Sequence, residues 1–404
     1  MIEKTLAELS LNITDGKHGD CRGMANSGFY FISCKDVRDG QIYYDNARQI
    51  VEEDFLEAHK RTKLEPDDIL VTNSGTIGRM AFVKESPLTY KTTFQKSVAI
   101  VKPDKSKILP QYLYYQLQNC VDGFVNQSNG AAQKNLLLST MRAFKMYIHE
   151  DPDIQARIVG VLSTYDDLIE NNQKQIKLLE ESAQRLYKEW FVDLRFPGHE
   201  TTPIVDGIPE GWSSGSADSY FDITIGKTPP RAESQWFTDM NKGIPWVSIS
   251  DMGDSNTYLF EASEGLTEEA VKRHNVKIVP AGTVLLSFKL TVGRVSVAST
   301  DVCTNEAIAH FRISDESNRE YVYCYLKNYH YDSLGSTSSI SKAVNSKIIK
   351  AMPFVMPNKD LLAKFSKIAS PIFEEIRIKQ KMCLDLKQAR DRLLPKLMSG
   401  ELDV

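Results

Sequence analysis

Two short polar segments hold the side chains best suited to chemistry, and each follows an apolar run. They combine amides, hydroxyls and cations: Asn73, Ser74, Thr76 and Arg79 in the first, and Lys289, Thr291 and Arg294 in the second. Amides can address adenine edges, cationic side chains guanine edges, and hydroxyls the phosphates of DNA. The pattern therefore predicts DNA binding. The alternative, that Arg79 and Arg294 pair with nearby carboxylates, has about equal support from the sequence.

Three further lysines are candidate DNA contacts, although each taken alone is typical of a solvated surface. Lys134 lies near Gln133 in the first half of the chain, and Lys342 and Lys347 lie in the second half. A local basic surface suffices for phosphate binding because only the contacting face must be positive. The net charge of -4 disfavours only a chain that is basic throughout.

The signatures of common catalytic centres are incomplete. Gly226-Lys227-Thr228 imitates the end of a P-loop, but Phe221 stands where the first glycine is required. There is no G-x-S-x-G elbow, and neither an adenine-methyltransferase N-P-P motif nor a complete nuclease carboxylate cluster occurs. The seven histidines and six cysteines show no metal-ligand spacing. We therefore expect a binding protein with no catalytic residue, no metal and no cofactor of its own.

Composition limits the class of protein and its compartment. With 404 residues, 42% of them hydrophobic and 25% charged, the chain is expected to form two or more soluble domains. No apolar run of ~18 residues is present, so no membrane span is expected. The scattered cysteines lack any C-x-x-C pair, which fits reduced thiols and a cytoplasmic location.

The chain contains an internal repeat at a shift of roughly 210 residues. The strongest correspondence joins Ile69–Thr72 and Thr76–Arg79 to Val284–Ser287 and Thr291–Arg294, without a gap between them. The two polar segments consequently occupy equivalent places in the two halves. Whatever elements position the first segment should therefore position the second.

Each half begins with a front rich in β-branched and aromatic runs that Gly, Pro and Asp interrupt, which is typical of short strands. Helical spacing of leucines and aromatic residues predicts one helix in each front, at 109–118 and 320–328. The predicted strands are Ile69–Thr72, Met80–Val83, Val98–Val101, Ile278-Val279, Val284–Phe288 and Val295–Ala298. The fold class is therefore α+β, with two tandem mixed α/β domains.

Each front is followed by a long helix whose apolar residues recur at steps of three and four. Asp153 is the expected cap of the first helix and Pro197-Gly198 its end, whereas Pro371 is expected to kink or restart the second. Matching periods favour pairing of the two helices, although each could instead pack on its own front. The seam contains Ile169, Asn172, Ile176, Leu179, Leu186 and Trp190 in the first helix, and Ile376, Lys379, Leu386 and Leu393 in the second.

These features divide the chain into five parts. They are a first front at 1–152, a first helix at 153–196, a linker at 197–212, a second front at 213–357 and a second helix at 358–404.

The chain resembles the specificity (S) subunit of Type I restriction-modification systems over essentially its whole length. Three local signatures together carry this resemblance. They are Arg392–Leu402, Gly226–Arg231 with Ile244–Val247, and Leu178–Glu180 with Trp190-Phe191. The first front departs from this pattern, because Gly16–Asp20 replaces the G-x-T-P-x-R form that the second front has.

The resemblance implies two target-recognition domains, each reading one half of an asymmetric bipartite site in double-stranded DNA. The helices would form an antiparallel coiled coil that sets the spacer length. The implied partners are methyltransferase (modification) subunits, two in number, which use S-adenosylmethionine, and restriction subunits, ATP-dependent translocases and nucleases that use ATP and Mg. The chain itself would not be catalytic. Two alternatives are a coiled-coil scaffold protein and a stand-alone DNA-modifying enzyme.

Overall fold

The computed structural model describes residues 1–130, 134–253, 257–334 and 344–404. They form two compact units, one comprising 1–167 with 386–404 and the other 168–385. Each unit thus contains one globular part and a section of each long helix. Within the described residues, no helix combines the length and the apolar character that a bilayer crossing would need.

The elements of the first globular part are short strands and four helices. They are β1 Ile2–Thr5, β2 Ser10–Asp15, β3 Tyr30–Ile32, β4 Val37–Arg38, β5 Gln41–Ile42, β6 Arg48–Gln49, α1 Glu52–Thr62, β7 Ile69–Thr72, β8 Met80–Phe82, β9 Thr92–Phe94, β10 Val98–Pro103, α2 Pro110–Asn119, α3 Val121–Asn126, α4 Leu138–Ala143 and β11 Lys145–Ile148. The first long helix, α5, follows at Pro152–Tyr187 and continues as a π-helical turn at Lys188–Val192.

The second globular part repeats this arrangement. Its elements are β12 Ile204–Val205, β13 Ile208–Pro209, β14 Ser213–Ser216, β15 Asp222–Ile225, β16 Phe237–Thr238, β17 Ile244–Val247, α6 Ile249–Met252, β18 Tyr258–Leu259, β19 Glu264–Leu266, α7 Glu268–His274, β20 Val284–Ser287, β21 Val295–Ala298, β22 Cys303–Thr304, β23 Ile308–Arg312, α8 Arg319–Asn328, α9 Ser346–Lys350 and β24 Pro353–Met356. The second long helix, α10, spans Lys359–Ser399.

Strand order confirms the internal repeat. The largest sheet of the first unit has the order β2-β10-β7-β8, and that of the second has β15-β23-β20-β21 with β18 added at the edge. In each unit a smaller sheet contains one parallel pair, β3 with β9 and β17 with β22. A further antiparallel pair, β1 with β11 and β14 with β24, closes each globular part.

Most of the predicted strands and both front helices are confirmed, some to the residue. The prediction for Ile278-Val279 is wrong, since Val279 forms only an isolated bridge with Val302. Pro280 follows directly and has no backbone N–H to continue a ladder.

The long helices depart from expectation at their ends and at one proline. The carboxylate of Asp151 accepts a hydrogen bond from the Asp153 amide at 2.9 Å, so Asp151 caps α5, and Asp153 lies inside its first turn. Helix α10 continues through Pro371 without a break. The carbonyl freed by this proline belongs to Lys367, which is exposed, so water can satisfy it.

Within each unit, sections of the two long helices share an apolar cluster with the adjoining globular part. In the first unit, Ile158 and Leu162 of α5 belong to the same buried cluster as Leu394 and Leu397 of α10. In the second unit, the clustered helix residues lie at the opposite ends: Ala183, Tyr187, Trp190 and Phe191 of α5, and Phe365, Ala369, Phe373 and Ile376 of α10. Trp190, which the sequence places in the seam, and its neighbour Phe191 are therefore both buried.

A buried histidine connects three strands in the second unit. His310 of β23 is fully buried, with Nδ1 at 2.9 Å from the Thr224 hydroxyl and Nε2 at 2.7 Å from the Thr304 hydroxyl. Burial, with a smaller contribution from Arg312, lowers the pKa of His310 to about 4. The ring is therefore neutral in the folded protein near pH 7, and its two nitrogens join β23 to β15 and β22.

Acidification should destabilise the second unit through His310. The unfolded chain binds this proton near pH 6.5 and the folded chain only near pH 4. The contribution to stability is therefore complete above pH 6.5 and is lost as the pH falls from there through the folded pKa of about 4. We expect a loss of about 2–4 kcal/mol, measured by urea unfolding at pH 7.5 and pH 4. His310→Gln should remove this component, and the exposed His330→Gln should retain it. An identical pH dependence in wild type and His310→Gln would show the assignment to be wrong.

Candidate nucleic-acid interface

The first polar segment forms a turn that a single hydroxyl holds closed. We name residues 73–79 loop 1; it connects β7 to β8. The Thr72 hydroxyl donates to the carbonyl of Thr76 at 2.5 Å and accepts from the backbone amide of Arg79 at 2.9 Å. The Gly78 amide donates to the Thr72 carbonyl at 2.9 Å. Both ends of loop 1 are therefore tied to the last residue of β7.

The second polar segment has the same construction. Residues 288–294, named loop 2, connect β20 to β21. The Ser287 hydroxyl donates to the Thr291 carbonyl at 2.6 Å and accepts from the Arg294 amide at 3.0 Å. The Gly293 amide donates to the Ser287 carbonyl at 2.9 Å. A serine thus does in loop 2 what a threonine does in loop 1.

The glycine shared by the two loops has a structural role. Gly78 and Gly293 have positive φ angles of 85° and 91°. A Cβ atom at Gly78 would lie 2.6 Å from Val121, and one at Gly293 would lie 3.0 Å from the Tyr331 ring. Any other residue would need both a strained backbone and a displaced neighbour.

Loop 1 exposes some of its predicted contact residues and buries others. Thr76 and Arg79 are exposed, whereas Ser74 is half-buried. Within the described ranges, no carboxylate forms an ion pair with Arg79, so its guanidinium is available to a ligand. Asn73 is buried. Its backbone N–H and backbone carbonyl bond to other backbone groups, and its side-chain oxygen has no hydrogen-bond partner in the part described. The exposed Lys134 is adjacent, since its carbonyl accepts from the Gly75 amide at 3.3 Å.

Loop 2 exposes a different set. Lys289 and Thr291 are exposed. Arg294 is half-buried and donates from Nη1 to the carbonyl of Ile249 at 2.7 Å. Lys347 is exposed in the first turn of α9, and Lys342 lies outside the described residues.

The predicted seam residues are buried or half-buried along both long helices. Asn172, the polar member of the α5 seam, is only 5% exposed. Lys379, its counterpart in α10, reaches Glu375 at 3.8 Å. The buried members are Asn172, Ile176, Trp190 and Ile376, and the half-buried members are Ile169, Leu179, Leu186, Lys379, Leu386 and Leu393.

Sequence reasoning missed the groups that attach the globular parts to the helices. In the first unit, Asp166 of α5 accepts a hydrogen bond from the Tyr115 hydroxyl at 2.7 Å and pairs with Arg390 of α10 at 2.5 Å. Burial, and then the charge of Asp166, raises the pKa of Tyr115, which keeps its phenol a donor. In the second unit, the Thr257 hydroxyl donates to Glu180 of α5. No local pattern marks these residues, because their partners lie far away in the sequence.

Comparison with known proteins gives one consistent result. The model of the family described as Type I restriction modification DNA specificity domain matches residues 24–181 and 209–382. The chain is 28% identical over 393 residues to the Type I restriction enzyme MjaIX specificity subunit of Methanocaldococcus jannaschii, covering 93% of this chain and 87% of that one. It is 22% identical to the HindI specificity subunit of Haemophilus influenzae over 99% of both chains.

A solved structure has the same fold. The S subunit of the Type I restriction-modification system of M. genitalium superimposes with a TM-score of 0.54 at 14% identity, covering 98% of this chain and 96% of that one.

We call the Thr72 and Ser287 hydroxyls, with the bonds they form, the clamps of loops 1 and 2. Removing the clamp hydroxyl of Ser287 should loosen loop 2. Ser287→Ala loses two hydrogen bonds, which should cost about 1–3 kcal/mol in stability and accelerate hydrogen exchange of the Arg294 amide. Thr72→Val should do the same to Arg79 in loop 1. The matched controls Thr291→Ala and Thr76→Ala keep the accepting carbonyls and should leave exchange unchanged. Equal effects of clamp and control variants would contradict the clamp.

Proposed function

Because the chain belongs to the Type I restriction modification DNA specificity domain family, we propose that it is the DNA-recognition subunit of a Type I restriction-modification complex. Each globular part is a target-recognition domain that reads one half of a bipartite site. The main supporting observation is that loops 1 and 2 share one hydrogen-bonded frame and differ at its tip, with Ser74-Gly75 in one and Lys289-Leu290 in the other. Unlike tips on equivalent frames favour two different half-sites and hence an asymmetric target.

The proposed DNA contacts follow from exposure and charge. Thr76 and Arg79 of loop 1, with Lys134 beside them, offer a hydroxyl and two cations to DNA. Lys289 and Thr291 of loop 2 offer a second such set. The other proposed residues have weaker support: Asn73 is buried, Ser74 and Arg294 are half-buried, and Lys347 lies in α9 rather than in loop 2.

We further propose that α5 and α10 form an antiparallel coiled coil that determines the spacer between the half-sites. This proposal is supported by the apolar clusters inside the units, where the start of α5 accompanies the end of α10 and the end of α5 accompanies the start of α10. Two recognition domains on one rod can dock on the same face of DNA when their half-sites are about one helical turn, ~34 Å, apart. Spacer length would then follow helix length.

In this proposal the chain supplies recognition and its partners supply the chemistry. Two methyltransferase subunits would bind S-adenosylmethionine, and restriction subunits would use ATP and Mg for translocation and cleavage. The complex would act in the cytoplasm. Partner subunits that enclose the duplex would also compensate for the net charge of -4, which gives this chain little attraction for DNA at a distance.

The reading by loop 1 can be tested with the chain assembled with its methyltransferase partners. Wild type should methylate a bipartite, asymmetric motif in a randomised DNA pool, as read by single-molecule sequencing. Arg79→Gln should relax one half of that motif, with a loss of about 1–3 kcal/mol against the preferred base. The control Arg312→Gln, at the end of β23, should change neither half. Absence of any methylated motif with wild type would refute the proposed function, and would favour a scaffold.

We call the proposed control of spacer length by the helix pair the ruler. It can be tested by lengthening both helices together. Seven residues inserted after Asn171 in α5 and after Lys381 in α10 preserve the heptad register and add about 10 Å, or about three base pairs. We expect a longer spacer and unchanged half-sites in the same methylation assay. The same seven residues placed after Asp206, in the exposed β12–β13 hairpin, should leave the spacer unaltered. An unaltered spacer in the double insertion would contradict the ruler.

A further inference from the structure

The tip of loop 2 carries a leucine whose side chain points away from the protein. Leu290 is 99% exposed and has a φ angle of +60°. The Thr291 amide donates to the Lys289 carbonyl at 2.7 Å, so Leu290 is the central residue of a three-residue γ-turn. A bulky L-residue at positive φ is strained, since its Cβ approaches the neighbouring carbonyl.

Packing does not offset this strain in the described protein. The other apolar non-glycine residue at positive φ in the described ranges is Leu194, and its side chain packs against the core of the second unit. The residue equivalent to Leu290 in loop 1 is Gly75, with a φ of +79°. The turn therefore requires a positive φ that glycine adopts freely, yet loop 2 places a large apolar side chain there. Strain kept without a packing reason indicates a role in binding.

The frame of loop 2 fixes the backbone that carries this side chain. The Ser287 hydroxyl closes the loop on the Thr291 carbonyl at 2.6 Å, and Gly293 packs against the Tyr331 ring. The exposed Lys289 lies on one side of Leu290, where its cation can reach a phosphate, and the partly exposed Val292 extends the apolar tip on the other side. An apolar side chain on a fixed backbone, beside a cation, is suited to a partner that alternates apolar faces with anionic edges. Stacked DNA bases and their phosphates have this character.

We infer that Leu290 is a wedge that inserts between two stacked base pairs in the half-site bound by the second domain. This inference rests on the proposed function and extends it. Aliphatic side chains inserted at a base step partly unstack it and bend the duplex. Flexible pyrimidine–purine steps deform most readily, so the wedge would select sequence through the cost of deformation. The first domain has Gly75 at the equivalent position, and the distortion is confined to one half-site.

The wedge is tested in the full chain assembled with its methyltransferase partners. The probe is the duplex that wild type selects from a randomised pool, with 2-aminopurine placed at successive positions. Wild type should raise 2-aminopurine fluorescence at one step of the second half-site. Leu290→Ala and Leu290→Gly should abolish the rise and weaken binding about tenfold to a hundredfold, because burial of one leucine side chain is lost. The control Leu290→Met keeps a long apolar side chain and should retain both properties.

A folding defect is separated from the wedge by the glycine variant. Leu290→Gly removes the backbone strain, so it should unfold at the same or a higher urea concentration than wild type while binding DNA more weakly. Wild-type affinity in Leu290→Ala, or no fluorescence change at any position of the second half-site, would overturn the wedge. The wedge would also be overturned if replacing thymine by uracil weakened wild-type binding as much as Leu290→Ala does, since that result indicates contact with the thymine methyl group. A wild-type complex that selects no sequence overturns the proposed function itself, and the wedge with it.

Discussion

The attachment of each globular part to the long helices is the constraint on which the rest of the structure depends, because a recognition loop is only as well placed as the domain that carries it. In the first unit this attachment centres on Asp166, which binds Tyr115 of α2 and Arg390 of α10. Burial alone would lower the pKa of Arg390, but the charge of Asp166 raises it, so the guanidinium stays ionised. Such a pair recovers its desolvation cost only when its geometry is complete. It therefore favours one arrangement of α2, α5 and α10 more than it adds stability.

The second unit achieves the same attachment with different chemistry. The Thr257 hydroxyl donates to Glu180 of α5, and the Tyr258 amide donates to the side chain of Gln380 of α10. Burial raises the pKa of Glu180, while the hydrogen bond from Thr257 opposes that rise. The anchors have diverged between the two copies, whereas the clamps at Thr72 and Ser287 have kept the same geometry. Loop shape is thus the more strongly constrained property, and anchor chemistry can vary as long as the domain stays fixed.

Local periodicity made much of the fold predictable, because strands, heptads and glycine turns are determined by neighbours in the sequence. The repeat, the strands at Ile69–Thr72 and Val295–Ala298 and the glycine of each loop follow from such patterns. The burial of Asn73 and the Asp166–Arg390 pair do not, since they depend on residues brought together only by folding. A motif can also identify a family without giving the role of its residues. Arg231 of the G-x-T-P-x-R segment stacks on Trp246 at 4.6 Å and pairs with Glu264 at 2.6 Å, so it supports the domain.

In the proposed function, the separation of frame from tip would allow a duplicated domain to acquire two specificities. The hydrogen bonds that shape loops 1 and 2 use the backbone of positions 76 and 291 and the hydroxyls of residues 72 and 287. The side chains at the tips, Ser74-Gly75 and Lys289-Leu290, take no part in these bonds. A substitution at the tip alters what is presented to DNA without unfolding the loop. With a net charge of -4, the chain has no strong general attraction for phosphates. In the proposed function, discrimination would come from pre-organised contacts at these tips, for which a rigid frame on an anchored domain is the physical requirement.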